Sequence, residues 1–350
     1  MIETIRSWLR LPPRVPKTTA AATAAPGRGW RWKLRAGGLV ALVLAVFFSV
    51  LGFYWSREPS VLWVNEKPPT GQVVPGYATV DTLTQVVSWM LDKPGGLLSN
   101  DMMPPGVWLD NMPSFERGAL TQSRDLARIL RNYYSRSQSQ STEDPDLATA
   151  EAALNTDHES WFFPPAETKY NEALAALDRY KARLIDGNPN DAQFYARADN
   201  LREWLAVVEL RLGNLSQRLS ASVGQERVNT DFAGAPASQP SNLPPEVLVK
   251  TPYFKVDDVF YEGRGTAWAL LLFLRSAQFD FQGVLEDKNA VVSLRQIIRE
   301  LEEGLKPIHS PIIMNGQGFG MFPNHSLVLA SYLSRAHSAV IDLRELLERG

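Results

Sequence analysis

The stretch RGTAWALLLFLR, residues 264–275, decides how this chain folds. Its centre has the composition of a membrane span, yet only ten uncharged residues, Gly265 to Leu274, separate its two arginines. At 1.5 Å per helical residue that covers about 15 Å, half of the roughly 30 Å hydrocarbon layer. It therefore reads as the central core helix of a domain. A membrane crossing has to be sought elsewhere.

That crossing is AGGLVALVLAVFFSVLGFYWS, residues 36–56, a run with no charged side chain that is long enough to traverse a bilayer. Before it stand Arg6, Arg10, Arg14, Lys17, Arg28, Arg31, Lys33 and Arg35 against one acid, Glu3. Basic residues stay on the cytoplasmic side, so the N-terminus is expected inside and the rest of the chain exported. Trp30 and Trp32 before the span, and Phe53, Tyr54 and Trp55 after it, suit the two interfacial belts. A cleaved signal peptide would want small residues after a short apolar region. Bulky aromatics follow here instead.

The chain has 350 residues and no cysteine, which excludes disulfides and a lipid-modified cysteine. Its first 35 residues hold eight of the 36 basic and one of the 38 acidic side chains. The exported part is therefore net acidic, which argues against nucleic-acid binding. In a Gram-negative cell that part lies in the periplasm, where a cysteine-free chain cannot be mis-oxidised.

Outward from the core helix, the periodicity is almost entirely helical. Residues 2–11 place Ile2, Ile5, Trp8 and Leu9 on one face, as an in-plane interfacial helix would. A Pro/Ala/Thr-rich linker follows, completing a cytoplasmic tail over residues 1–35. Residues 57–76, with four prolines, read as a stalk or strap, and residues 77–350 as one helical domain. Within it Val80–Leu91 form a first amphipathic helix, and Phe115–Tyr133 a second with Ser114 as N-cap. Asp144-Pro145 opens a third. Phe194, Ala198, Leu201, Leu205, Val208, Leu212, Leu215 and Leu219 alternate in steps of four and three over 26 residues, a heptad seam for a long partner helix. An intramolecular bundle is the simpler expectation, a homo-oligomeric coiled coil the sharper one. Residues 229–246 form a loop dividing two helical halves, and a last helix spans 327–347. The fold class expected is mostly α, one transmembrane helix followed by an all-α bundle.

The blocks SNDMMPPGVWLDNMPSFERGAL, RNYYSRSQSQSTEDPDLATAE, FYARADNLREWL and RLGNLSQRLSASVG resemble a family of bacterial inner-membrane proteins catalogued as domain of unknown function 2333. The resemblance covers nearly everything after the anchor. It implies a single-span envelope protein and carries over no catalytic residue.

Chemistry has few candidates. His158, His309, His325 and His337 lack the paired spacing of a metal site, and no cofactor motif is expected. Asn315–Ser326, NGQGFGMFPNHS, reads as a loop before a helix beginning near Asn324 rather than a dinucleotide fingerprint. Asp101, Asp110 and Glu116, in the loop that also holds Trp108 and Arg117, could work as acid and base on a cell-wall glycan if they faced one another. Capping and turn roles are the commoner use of such residues. Trp161-Phe162-Phe163 reads either as a core plug, the default for such residues, or as an exposed contact. SRSQSQS, residues 135–141, most simply continues the preceding helix. Arg136, Ser137 and Gln140 would then meet Ser216, Arg218 and Ser220 in a polar seam between two helix ends, or line a ligand pocket there. The expected function is a non-catalytic, membrane-anchored periplasmic scaffold or interaction protein of the envelope. The alternative is a cell-wall glycan or peptide binder or hydrolase using residues 101–117. Its partners would be the inner membrane and an envelope protein or the cell wall.

Overall fold

The computed structural model describes residues 28–137, 142–188, 191–228, 246–310 and 312–349. Among them are ten α-helices and one two-stranded sheet. The chain divides into two units, Met1–Ser49 and Val50–Gly350. In the first, residues 28–49 belong to helix α1 (Arg28–Trp55), whose most apolar 18-residue window has a mean hydropathy of 2.4 and an almost wholly uncovered surface. It is the one helix among the described residues long and apolar enough to cross a membrane. The amphipathic segment 2–11 lies outside the described residues.

The second unit contains α2 (Tyr77–Asp92), α3 (Asn111–Ile129), α4 (Pro145–Leu154), α5 (Ala166–Ile185), α6 (Ala198–Ser220), α7 (Val256–Asp280), α8 (Gln282–Asp287), α9 (Val291–Gly304) and α10 (His325–Arg349). Strands β1 (Gln225–Val228) and β2 (Glu246–Val249) pair antiparallel with Gln225 opposite Val249. The loop expected at 229–246 falls, up to residue 245, outside the described residues.

Helix α7 is the core helix its sequence demands. Every residue from Gly263 to Leu274 is buried, because α2, α3, α9 and α10 surround it. Helix α3 runs antiparallel to it at backbone contact. A Cβ on Gly265 would stand 1.9 Å from the Phe115 carbonyl oxygen, and one on Gly118 2.2 Å from that of Glu262. That approach brings the buried Phe115 and Trp268 together with the partly buried Trp89 as an aromatic triad with centroids 4.9–5.9 Å apart.

The heptad seam of α6 is satisfied within the chain. Leu201, Leu205, Val208, Leu212, Leu215 and Leu219 pack on α10, which buries Leu329, Leu333, Ala336, Val340, Leu343 and Leu347 in the same four-three steps. Ser216 Oγ donates to Ala330 O at 3.1 Å, whereas Arg344 pairs with Glu209, so the two helices are antiparallel. Helix α4 starts as expected, with Asp144 Oδ1 accepting from Asp146 N at 2.9 Å and Leu147 N at 3.2 Å. Asn324 caps α10 by accepting from Leu327 N at 2.8 Å.

The segment expected as a stalk is strapped along α7. Arg264, only 4% exposed, donates through Nε to Glu58 Oε1 at 2.7 Å. Its Nη1 reaches the carbonyls of Gly304 and Lys306, both at 3.1 Å, and its Nη2 that of Leu305 at 3.2 Å, which satisfies the C-terminus of α9. Trp268 Nε1 holds Ser60 O at 3.2 Å. Twelve residues further along α7, the Asp280 carboxylate accepts from Gly76 N at 2.9 Å, Thr79 N at 2.7 Å and Thr79 Oγ1 at 2.6 Å, closing the strap onto the start of α2.

Three local expectations are corrected. Helix α3 begins at Asn111, so Ser114 lies inside it and is not its cap. Ser135–Ser137, the described part of the SRSQSQS run, do not prolong that helix. A π-helical turn, Leu130–Tyr134, ends with Ser135 N bonded to Leu130 O, and the Tyr134 carbonyl is taken by Tyr195 N at 2.7 Å, leaving it unavailable for further helix. Trp161-Phe162-Phe163 is exposed and does not plug the core, because Ser160 turns the chain there through bonds to Pro164 O and from Ala166 N.

Replacing Arg264 with Met should cost about 3 kcal/mol in denaturant unfolding, since Glu58 and three carbonyls lose their donor in a largely buried setting. Lysine should not restore it, because one ammonium cannot span the fork. Burial pushes the Asp280 carboxyl up to about 6, against the Thr79 and Gly76 donors that favour its ionised form. A carboxyl raised on folding weakens the native state as pH rises from its unfolded value, about 3.8, through 6. The stability difference between Asp280→Asn and the natural chain should therefore shift in favour of the variant over that interval, by on the order of 2–3 kcal/mol, as read by urea titrations at stepped pH.

Candidate binding cleft

The acidic loop is set by the end of α2. Lys93, Pro94, Gly95 and Gly96 terminate that helix, with both glycines at positive φ, and turn the chain back over α3. Glu116, on the first turns of α3, is fully buried beneath the turn. It pairs with Lys93 Nζ at 2.7 Å and accepts from Leu98 N at 3.0 Å, Ser99 N at 3.0 Å and Ser99 Oγ at 2.6 Å. Its oxygens are consumed in holding the loop. Asp101 lies against Gly106, and burial followed by the charge of Glu116 raises its carboxyl above the ordinary range. Asp110, exposed at the start of α3, faces a different neighbourhood, that of Asp257 and Lys255. The three carboxylates are thus divided between two environments.

The two serine-bearing blocks are also separated. Ser137 O accepts from Arg197 Nη1 at 2.8 Å, beside the start of α6, and Arg136 lies 3.9 Å from Glu143. These residues line a cleft of about 430 Å³ with Arg202 and Glu203. Ser216, Arg218 and Ser220 sit at the other end of α6, about 30 Å away along the helix axis. There Ser220 Oγ bonds back to Ser216 O at 2.8 Å. Gln140 lies outside the described residues. The expected seam is corrected to two sites, because the chain after Tyr134 docks on the N-terminal end of α6.

What the fold does bring together is Arg218 of the second block and Arg117 of the acidic loop. Both reach Glu262 on α7, Arg218 through Nη1 and Nη2 at 2.6 and 2.7 Å and Arg117 through Nη2 at 2.7 Å. Burial alone would raise the Glu262 carboxyl, but bonding from Arg218 and the charge of Arg117 hold it below its usual range. It therefore stays ionised and keeps the two guanidiniums in place. They line a cleft of about 470 Å³ together with Lys250, Thr251, Lys255 and Asp258. Lys255 Nζ donates to Asp258 Oδ2 at 2.8 Å, whereas Asp258 Oδ1 and Arg117 Nε are buried without a partner among the described residues.

Both atoms are closed off from solvent, so what the cleft offers a ligand is its cationic lining, Arg117, Arg218, Lys250 and Lys255, which favours an anionic group. Among the described residues no three His, Asp or Glu side chains converge to hold a metal ion. Sequence reasoning singled out Arg117 and Arg218 separately and missed Lys250, Lys255, Asp258 and Glu262. Burial and bonding mark Asp258 and Glu262, and only their place on the cleft marks the exposed Lys250 and Lys255; none of these has a local sequence signal.

A family model described as an uncharacterised protein conserved in bacteria, the domain of unknown function 2333, matches residues 26–350, so the chain belongs to that family. No curated protein and no solved structure matches it.

Glu116→Gln should destabilise the domain by about 3 kcal/mol, because Lys93 is left charged and buried without its counter-ion. A second change, Lys93→Met, should recover part of that loss in thermal unfolding. A Glu116→Gln protein of unchanged stability would contradict the structural role.

Proposed function

We propose that this member of an uncharacterised bacterial family is a membrane-anchored scaffold or interaction protein of the cell envelope. Its N-terminus is cytoplasmic, its helical domain periplasmic, and its partner docks at the Arg117–Glu262–Arg218 cleft. The observation that carries this reading is how the last residues of α1 are built into the domain. Leu109 Cδ2 and Pro105 Cβ would stand 3.4 and 3.6 Å from a Cβ on Gly52, and the Trp55 ring covers Gly95 so closely that a Cβ there would be 2.7 Å from its Cδ2. Three residues beyond the end of that helix, Glu58 takes the buried Arg264.

An apolar helix joined to its domain in this way supports a retained anchor over a cleaved leader, since cleavage would strip packing from the folded unit. A domain retained at the membrane and carrying an open ionic cleft suits presentation of a binding surface to a neighbour. The cationic lining of the cleft favours a partner segment bearing carboxylates, as an acidic peptide does.

A photo-crosslinking amino acid in place of Lys255, activated in living cells, should yield one discrete adduct with an envelope protein. The adduct should fade when Arg218 is changed to Ala and be absent when the crosslinker is moved to Val292, exposed on α9. Adducts containing only cell-wall fragments would replace this reading with the cell-wall binder.

A further inference from the structure

Two loops beside the exit of α1 place large apolar side chains in the open. In the first, Met102 and Met103 are 59% and 74% exposed and Trp108 66%. In the second, Trp161, Phe162 and Phe163 are 55%, 63% and 84% exposed. No charged residue lies between Asp101 and Asp110, nor between Glu159 and Glu167. Each loop is therefore an uncharged apolar tip with acidic residues only at its base.

The tips are neighbours and are held firmly. Asn100 Nδ2 donates to Ser160 O at 3.0 Å and to Glu167 Oε2 at 2.9 Å, tying the base of one loop to the base of the other. Within them Trp108 N bonds Pro105 O at 2.9 Å and Ser160 Oγ bonds Pro164 O at 2.9 Å. The first loop is also the one that meets α1, through Pro105 and Leu109 against Gly52. Gly52 stands three residues before the end of the apolar stretch, at Trp55, so in a bilayer it lies at the headgroup boundary. Whatever packs on it shares that depth.

We propose that these two loops are a lipid contact, with Met102, Met103, Trp108 and Trp161–Phe163 seated in the headgroup region of the leaflet from which α1 emerges. Aromatic and methionine side chains on rigid uncharged loops gain by leaving water there. This contact rests on the reading of α1 as a membrane anchor. With it, the domain is held against the membrane at three places, the helix and two loops, and its orientation over the bilayer is fixed.

The absence of native cysteine makes the test direct. Single-cysteine versions of the full chain, Phe47→Cys, Met103→Cys, Phe162→Cys and Val292→Cys, are labelled with an environment-sensitive fluorophore. They are reconstituted in phosphatidylethanolamine–phosphatidylglycerol vesicles with and without lipids brominated near the headgroup or mid-chain. Position 47 should be quenched by mid-chain bromines, 103 and 162 by the shallow ones, and 292 by neither. Helical circular dichroism matching the unsubstituted protein qualifies each variant. Quenching at 47 with none at 103 and 162 would overturn the lipid contact and leave the anchor standing. No quenching at 47 would overturn the anchor and the contact with it.

Discussion

The Arg264 guanidinium carries a full positive charge into the interior of a helical bundle, and everything around it is arranged to accept that charge. An unpaired guanidinium there would be prohibitive, so its five N–H donors are distributed over the Glu58 carboxylate and the last carbonyls of α9. One side chain thus fixes the strap after α1, the middle of the bundle and the end of α9 at the same point. The glycines on either side of it serve the same packing. Gly265 admits the backbone of α3, and Gly263 the leucines of α6 and α10. A short uncharged run in the centre of the chain becomes buried on all sides only because these neighbours are brought that close.

From that point the bundle acquires two unlike ends. Near Arg264 gather the exit of α1, the start of α3, the start of α7 and the C-terminal end of α6. This end holds the Arg117–Glu262–Arg218 cleft and the two apolar loops. At the other end Asp280 closes the strap, and the partly buried Phe194 joins the buried Tyr134 and Phe281 in an aromatic cluster with centroids 5.1–5.6 Å apart. Ionic and apolar exposure thus fall at the end of the bundle where α1 ends.

Much of this was legible in advance for a physical reason. Helical periodicity, caps and breakers are local, and the four-three alternation of α6 requires a long partner whichever helix supplies it. Asp144-Pro145, the Lys93–Gly96 stop and Asn324 before α10 acted where their chemistry predicts. Local rules failed where a distant group competed for the same backbone or surface. Tyr195 N takes the Tyr134 carbonyl and stops a helix that no breaker ends. Trp161–Phe163, apolar enough for a core, are turned outward by bonds around Ser160.

The sequence by itself determined the helical class, the single apolar span and the exclusion of a second one, because these depend on periodicity, length and charge within one segment. It could not determine which polar side chains share a site. Arg117, Arg218, Glu262 and Asp258 come from three helices, and the acidic and serine-bearing motifs that looked coherent along the chain are divided between different places in space. Only the packing of α3 and α6 against α7 decides that, since a salt bridge forms between whichever charges the buried glycines and leucines bring within reach.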